Sequence, residues 1–170
     1  MSLTLSSIAQ TQLDQVYRAL DGILEKGAAH ASQTGADESV YLGWRLAPDM
    51  LPLSRQVQLV SDFSVRGMAR LAGEEPPAMA DDEADFQALR DRLAKARDVV
   101  QAFDADRIDD QPEAMITFPA GPDRELTLPR QSYLQNFVFA NVLFHAATTY
   151  NILRSVGVPL GKADMMGVRL

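Results

Sequence analysis

The stretch FQALRDRLAKARDVVQAF, residues 86–103, shows the clearest pattern in the chain. Its apolar residues alternate at spacings of three and four without a miss: Phe86, Leu89, Leu93, Ala96, Val100 and Phe103. This heptad spacing is typical of a helix that buries one face against other helices. The stretch therefore predicts a core helix over about residues 83–103 in an all-α protein.

Three further segments show the same helical period. Apolar residues recur at helical spacing over about residues 5–29 and 50–72. The last segment, about residues 132–156, begins at Ser132, a good cap, and ends before Gly157. A chain of 170 residues is long enough for one ordinary domain. We therefore expect residues 1–170 to form a single antiparallel four-helix bundle.

The helical period stops between residues 104 and 130. Two short runs, MITF at 115–118 and ELTL at 125–128, flank the turn sequence PAGPDR at 119–124. This pattern predicts a β-hairpin over about residues 114–128, inserted before the last helix. A lone hairpin is marginally stable, so we expect it to pack on the helices.

Composition excludes several classes of function. The net charge is −7, so the chain lacks the basic surface of a nucleic-acid or anionic-membrane binder. Cysteine is absent, which excludes disulfides, thiolate ligands and a cysteine nucleophile. No apolar run approaches the ~20 residues of a membrane span. The first residues lack the basic region of a secretory signal, so the cytoplasm is the default expectation.

One polar constellation interrupts the apolar stripe of the last helix. Asn141, His145 and Thr148 occupy stripe positions between Val138 and Ile152. Buried polar groups need partners. These could come from the second helix or the first: Gln56, Gln58 and Asp62, or Gln12 and Tyr17. The candidate ligand pocket comprises Asn141, His145, Thr148, Gln58, Asp62 and Tyr17. A satisfied structural network is the alternative interpretation of the same residues.

A metal centre is poorly supported by the residue types. The chain has two histidines and no cysteine, so His145 is only a weak candidate ligand. We predict no cofactor; a divalent metal is an alternative that the ligand count disfavours. The acidic residues 81–85 could attract a cation, but they also suit the start of a helix, where the dipole favours negative charge.

Two regions resemble a known family. The sequence RLAPDM at 45–50 with Gln56-Val-Gln58, and NVLFH at 141–145 with GKAD at 161–164, resemble a branch of uncharacterised bacterial proteins in the DinB/YfiT-like superfamily. The resemblance implies a four-helix bundle that is often a homodimer.

Some members of that superfamily are metal-dependent thiol transferases or isomerases that use three histidines. Of those positions only His145 keeps a histidine; the others fall at Asn141 and near Gln58. Amide side chains are weak ligands for a transition metal. Two hypotheses follow: a homodimeric bundle protein with a polar core pocket that binds a small ligand, or a metal-dependent or His-based transferase or isomerase.

The last helix also carries more apolar residues than one buried stripe needs. The excess comprises Phe137, Val138, Phe139, Val142 and Leu143. A helix that is apolar nearly all round is central in its own fold or is buried on a second side by a partner subunit. Together with the resemblance, this predicts a symmetric homodimer.

Overall fold

The computed structural model describes residues 3–111 and 113–167. Over these residues the chain is mostly helical, with one antiparallel pair of strands, and none of the described helices is long and apolar enough to cross a membrane. In chain order the elements are α1 (Leu5–Thr34), α2 (Glu38–Leu42), α3 (Leu53–Ala72), α4 (Phe86–Ala102), α5 (Ala105–Asp109), β1 (Met115–Pro119), β2 (Glu125–Pro129), α6 (Arg130–Ser132), a π-helical segment (Tyr133–Val138), α7 (Phe139–Ser155) and α8 (Lys162–Met165). The domain prediction over 1–170 also includes residues 1, 2, 112 and 168–170, which lie outside the described residues.

The four long helices contact one another in a ring. α1 packs against α4, α4 against α3, α3 against α7, and α7 against α1. Their inward faces share one hydrophobic core. The predicted stripe of α4 is buried along its whole length: Phe86, Leu89, Leu93, Ala96, Val100 and Phe103. The heptad pattern thus identified a core helix correctly.

The first helix is longer than the predicted 5–29. It begins after Thr4, whose side chain accepts a hydrogen bond from the N–H of Ser7, and it continues to Thr34. Gly35 ends it with φ 69°, a left-handed conformation that glycine adopts without strain. The helix therefore ends at a glycine in a left-handed conformation, and the short α2 follows.

The second and third predicted helices both begin later than expected. α3 starts at Leu53 instead of about residue 50, because Pro52 precedes it with an extended backbone at φ −71° and ψ 167°. α4 starts at Phe86 instead of 83, because Asp85 is its N-cap and accepts a hydrogen bond from the N–H of Ala88 at 2.7 Å. α4 ends at Ala102, one residue before the predicted end.

The last helical region begins earlier than the predicted 132–156. Helical backbone starts at Arg130, directly after Pro129, and continues through the π-helical segment into α7, which ends at Ser155. Ser132 lies within the helix and makes no capping hydrogen bond, because the strand residue Pro129 takes the position before the helix. The expected stop is confirmed at Gly157, where φ is 96°.

The hairpin forms where the sequence predicts it. β1 and β2 pair in register from Met115 opposite Pro129 to Pro119 opposite Glu125, one residue beyond the predicted 114–128 at the C-terminal side. Phe118 is buried, and its ring lies 4.4 Å from that of Phe137, centroid to centroid. The hairpin therefore packs on the helical core, as a marginal two-stranded unit requires.

Candidate functional site

His145 lies on α7 and meets Gln56 of α3. The His145 Nδ1 atom is 2.7 Å from the Gln56 Oε1 atom. Gln56 Nε2 donates a hydrogen bond to the main-chain oxygen of Leu51 at 3.0 Å, which fixes the orientation of the amide. Because an amide oxygen can only accept, His145 Nδ1 must be the donor. The proton of the neutral imidazole is therefore on Nδ1.

The second ring nitrogen, Nε2, then carries a lone pair. Within residues 3–111 and 113–167, no protein group forms a hydrogen bond with Nε2. The fully buried polar atoms that lack a partner in this part of the chain do not include Nε2, so Nε2 is not fully buried. We infer that Nε2 reaches solvent between α3 and α7, although only 8% of the residue surface is exposed. A neutral imidazole held through its Nδ1–H presents Nε2 as a hydrogen-bond acceptor or metal ligand.

Aromatic side chains surround the imidazole. Phe63 of α3 stacks on His145 with ring centroids 5.6 Å apart and an interplanar angle of 13°. Phe144 meets His145 edge to face at 5.2 Å, and Phe137 of the π-helical segment contacts Phe63 at 5.8 Å. These rings restrict the access of water to the imidazole.

This environment weakens His145 as a base. Burial lowers the pKa of His145 to about 4, and the positive charge of Arg55 acts in the same direction. The ring is therefore neutral at physiological pH. Transfer of a proton to His145 from a group with a pKa near 7 would be uphill by about 4 kcal/mol, because the two pKa values differ by about three units of 1.36 kcal/mol each. Accepting a hydrogen bond requires no such transfer.

We expect acid to destabilise the protein partly through His145. Its native pKa of about 4 lies below the ordinary value of 6.5, so the unfolded chain binds more protons between these values. The stabilisation that the neutral native imidazole provides is complete above pH 6.5 and is lost as the pH falls toward 4, by about 3 kcal/mol in total. Urea unfolding of wild type and His145→Phe from pH 4 to 7 measures this. The control is His30→Phe at the other histidine, which lies on α1 beside Tyr41. Parallel pH profiles of wild type and His145→Phe would show that the pKa is not lowered.

The other predicted residues of the last helix lie beside His145. Asn141 is half-buried and its Nδ2 donates to the main-chain oxygen of Phe137 at 2.7 Å. Thr148 is buried and its hydroxyl donates to the main-chain oxygen of Phe144 at 2.8 Å. By helical spacing, Asn141, Phe144 and Thr148 share the flank of α7 that borders His145. We name the surface formed by Gln56, Phe63, Asn141, Phe144 and His145 the His145 groove.

Gln58 and Asp62 belong to a different constellation, centred on Arg92 of α4. The Arg92 side chain is 2% exposed and contacts Asp62 at 2.7 Å, Glu83 at 2.8 Å and Asp81 at 3.0 Å. Gln58 Nε2 donates to the second carboxylate oxygen of Glu83 at 2.7 Å. We name these five residues the Arg92 cluster.

Tyr17 stands apart from both groups. Its hydroxyl forms a hydrogen bond with Ser64 in the core, and burial raises the pKa of Tyr17. Within the described residues, no hydrogen bond joins it to His145. The candidate pocket residues therefore fall into three places: Asn141, His145 and Thr148 together, Gln58 and Asp62 in the Arg92 cluster, and Tyr17 by itself.

The comparisons with known proteins agree with this architecture. The family model described as a domain of unknown function, DUF1993, matches residues 5–166. The chain belongs to this family. A solved structure that resembles this one is the crystal structure of a DinB family member protein from Shewanella denitrificans, whose sequence is 30% identical to this chain. The two structures superpose with a TM-score of 0.87, and the alignment covers 97% of this chain and 93% of that one. No curated protein matches the chain significantly. The resemblance to an uncharacterised DinB-like family is thereby confirmed.

The residues of this DUF1993 chain do not fit the three-histidine metal centre of the wider superfamily. Within the part of the chain that the structure describes, no group of three or more His, Cys, Asp or Glu side chains is placed to hold a metal ion. The His145 groove supplies one imidazole; its Asn141 amide donates to the main-chain oxygen of Phe137, and Gln56 Oε1 already accepts from His145. One imidazole with neutral amide oxygens is a weak donor set for zinc or nickel.

Gln56, Phe63 and Phe144 are the residues of this DUF1993 site that the candidate list lacked. Gln56 and Phe63 are seven residues apart and therefore lie on one face of α3, whereas Gln58 points away from that face. Of the three partners considered on this helix, Gln56 is the one that meets His145. The spacing of Gln56 and Phe63 could have revealed the pair, but only if the side of α3 that faces α7 were known.

Proposed function

We propose that this DUF1993 protein binds a small molecule in the His145 groove and that His145 Nε2 accepts a hydrogen bond from it. The observation that carries the proposal is the chain of hydrogen bonds from His145 Nδ1 through Gln56 to the Leu51 carbonyl. This chain holds a neutral imidazole in one tautomer and leaves a lone pair without a protein partner among the described residues. We further propose that the ring of long helices is a DinB-like antiparallel four-helix bundle, a fold that builds ligand sites between facing helices.

The enzymatic alternative has less support. A His-based transferase or isomerase needs a base whose pKa lies near the working pH, and the pKa of His145 is about 4. A metal-dependent enzyme needs about three strong protein ligands, and the donor set at the groove provides one imidazole. Hydrogen-bond acceptance requires neither property.

A fragment screen tests the proposal. Small molecules are screened against the untagged chain by thermal shift and by 15N NMR. We expect hits that perturb α3 and α7 around Gln56 and His145, that are lost in His145→Phe, and that persist in His30→Phe. Hits indifferent to His145→Phe would contradict the proposal. Stoichiometric zinc, nickel or iron that survives dialysis against a mild chelator, and is lost in His145→Phe, would support the metal-dependent alternative instead.

A second proposal, homodimerisation, concerns the opposite flank of α7. Val138 and Val142 are buried in the core, so they are not part of an exposed excess. Leu143 is 41% exposed, and Phe139 and Tyr150 are half-buried. Spacings of four and seven residues place these three on one stripe, away from the His145 groove. An isologous contact between two such stripes would cover them.

We expect sedimentation velocity at micromolar concentration to show a dimer of about 37 kDa, twice the monomer mass of 18.7 kDa. Leu143→Glu places a charge at the centre of the stripe and should return the protein to monomer. Asn151→Glu, at an exposed position of the same helix outside the stripe, should leave the dimer intact. A wild-type protein that sediments only as monomer would refute the dimer.

A further inference from the structure

A further exposed face of α7 lies between the half-buried Tyr150 and the His145 groove. By helical spacing it comprises Ala140, Leu143, Phe144 and Ala147. Leu143 is 41% exposed and Phe144 is 58% exposed, while Ala140 is exposed and Ala147 is half-buried. Large apolar side chains that meet on one exposed face mark an interaction surface. We name these four residues the α7 face.

Charge favours a second copy of the chain as the partner of this face. Residues 131–153, which carry the α7 face, contain no Asp, Glu, Lys or Arg, although these types make up 23% of the chain. A two-fold contact brings identical residues of two copies close together, so a charged face would place like charges side by side. Because each copy has a net charge of −7, the uncharged α7 face is the kind of surface through which two copies can meet.

The sizes of the side chains are symmetric along the α7 face. Ala140 stands three residues before Leu143, and Ala147 stands three residues after Phe144. When two α7 helices cross antiparallel at Leu143 and Phe144, the bulky pair of one copy meets the bulky pair of the other, and Ala140 faces Ala147. Alanines beside the crossing point let the two axes approach to about 8–10 Å, the usual distance between packed helices. The face therefore complements its own two-fold image in shape as well as in charge.

We propose that the α7 face binds the same face of a second copy, with the two α7 helices antiparallel and the two-fold axis between Leu143 and Phe144. This inference rests on the homodimer proposed above and names its contact surface and its symmetry. The large apolar side chains are covered at the axis, and the alanines close the contact on either side. Inclined helices diverge beyond about two turns from their crossing point, so Asn151 stays outside the contact.

The same symmetry brings the two His145 grooves together. A two-fold axis perpendicular to both helices leaves the same flank of each helix on the same side of the pair. Phe144 meets His145 edge to face, at 5.2 Å between ring centroids, and lies next to the axis. Both grooves therefore open on one side of the dimer, and the partner's Phe144 forms part of the outer wall of each.

Cysteine cross-linking tests the geometry, because the chain has no cysteine of its own. Ala140→Cys and Ala147→Cys are mixed in reducing buffer and then oxidised. We expect a disulfide-linked dimer of about 37 kDa, twice the monomer mass of 18.7 kDa, in the mixture but in neither variant alone. In the antiparallel pair the two copies of position 140 lie about 10 Å apart along the helix axis, beyond the reach of a disulfide. Ala94→Cys, at an exposed position of α4, is the control and should cross-link with neither.

The shared wall of the grooves has a separate test. On dilution from dimer to monomer, the ring NMR signals of His145 should shift because the partner's Phe144 leaves, whereas those of His30 on α1 should stay unchanged. Dissociation without a change at His145 overturns the shared wall.

The outcomes of cross-linking and sedimentation separate the contact surface from the dimer itself. A dimer in sedimentation with no cross-link in the mixture overturns the α7 face and leaves the homodimer standing. Cross-linking of Ala140→Cys with itself indicates a parallel pair and overturns the antiparallel axis. A wild-type protein that sediments only as monomer removes both proposals.

Discussion

Replacing Arg92 by methionine is expected to lower the free energy of unfolding by about 3–5 kcal/mol, the range for breaking a buried ion pair from one side. The guanidinium is 2% exposed and lies between Asp62 and Glu83, whose side chains are themselves buried to more than nine-tenths. Methionine fills part of the volume but leaves Glu83 without a cation and Asp62 with only the more distant and exposed Arg66, at 3.5 Å. A buried carboxylate that has lost its cation must be desolvated unpaired, protonated, or exposed by local opening, and each of these costs stability.

Two comparisons isolate the cause. Arg97→Met removes the same side chain from the same helix, but Arg97 is 46% exposed and pairs with Asp14, so the loss should stay below about 1 kcal/mol. The triple variant Arg92→Met, Asp62→Asn, Glu83→Gln removes the unpaired charges and should recover most of the loss. Urea unfolding measures all three. Equal effects of Arg92→Met and Arg97→Met would show that the cluster contributes no more than a surface pair.

The Arg92 cluster shows where sequence interpretation ends. The acidic residues 81–85 suggested a helix start, and Asp85 does cap α4. Asp81 and Glu83, however, turn toward Arg92 and lie outside the helix. The spacing of apolar residues and the helix propensity of each residue describe neighbours within about one helical turn. The contacts of Arg92, by contrast, join α3, α4 and the segment between these two helices. Nothing in the local pattern distinguishes Arg92 from the half-buried Arg90 or the exposed Arg97.

The same division applies to the His145 groove. The stripe spacing placed His145 among core positions, and the residue is buried beside Asn141 and Thr148. Its partner could not be chosen, because Gln56 and Gln58 flank the apolar stripe of α3 on opposite sides. Only the packing of α3 against α7 decides between them, and that packing is a property of the whole bundle.

Element length decided how much of the fold could be predicted. The four long helices repeat their apolar pattern over enough residues to stand out, and the two short strands are marked by the turn sequence at 119–124 between them. The shorter elements do not: α2 and α5 have five residues each and α8 has four. The six-residue π-helical segment differs from α-helix by one residue per hydrogen-bonded turn, which apolar spacing does not reveal over so short a length.

The second large effect is expected at the neighbouring residue, Leu93, where the cause is packing and not charge. Leu93→Ala should lower the free energy of unfolding by about 2–5 kcal/mol, through lost apolar burial and the cavity left behind. Leu93 is 1% exposed and lies at the middle of the stripe that α4 contributes to the core. The helix that carries Leu93 packs against α1 and α3, and a densely packed core relaxes only partly into the space that a removed side chain leaves.

Variants at matched positions separate the cavity from any change in helix propensity. Lys95→Ala also introduces alanine into α4, but at an exposed position, and should change the free energy of unfolding by less than about 0.5 kcal/mol. Leu93→Met keeps the volume and should cost less than about 1.5 kcal/mol. Because no charge changes, the loss in Leu93→Ala should persist at high salt. A loss below about 0.5 kcal/mol in denaturant unfolding would mean that this stripe faces solvent and that α4 is not a core helix.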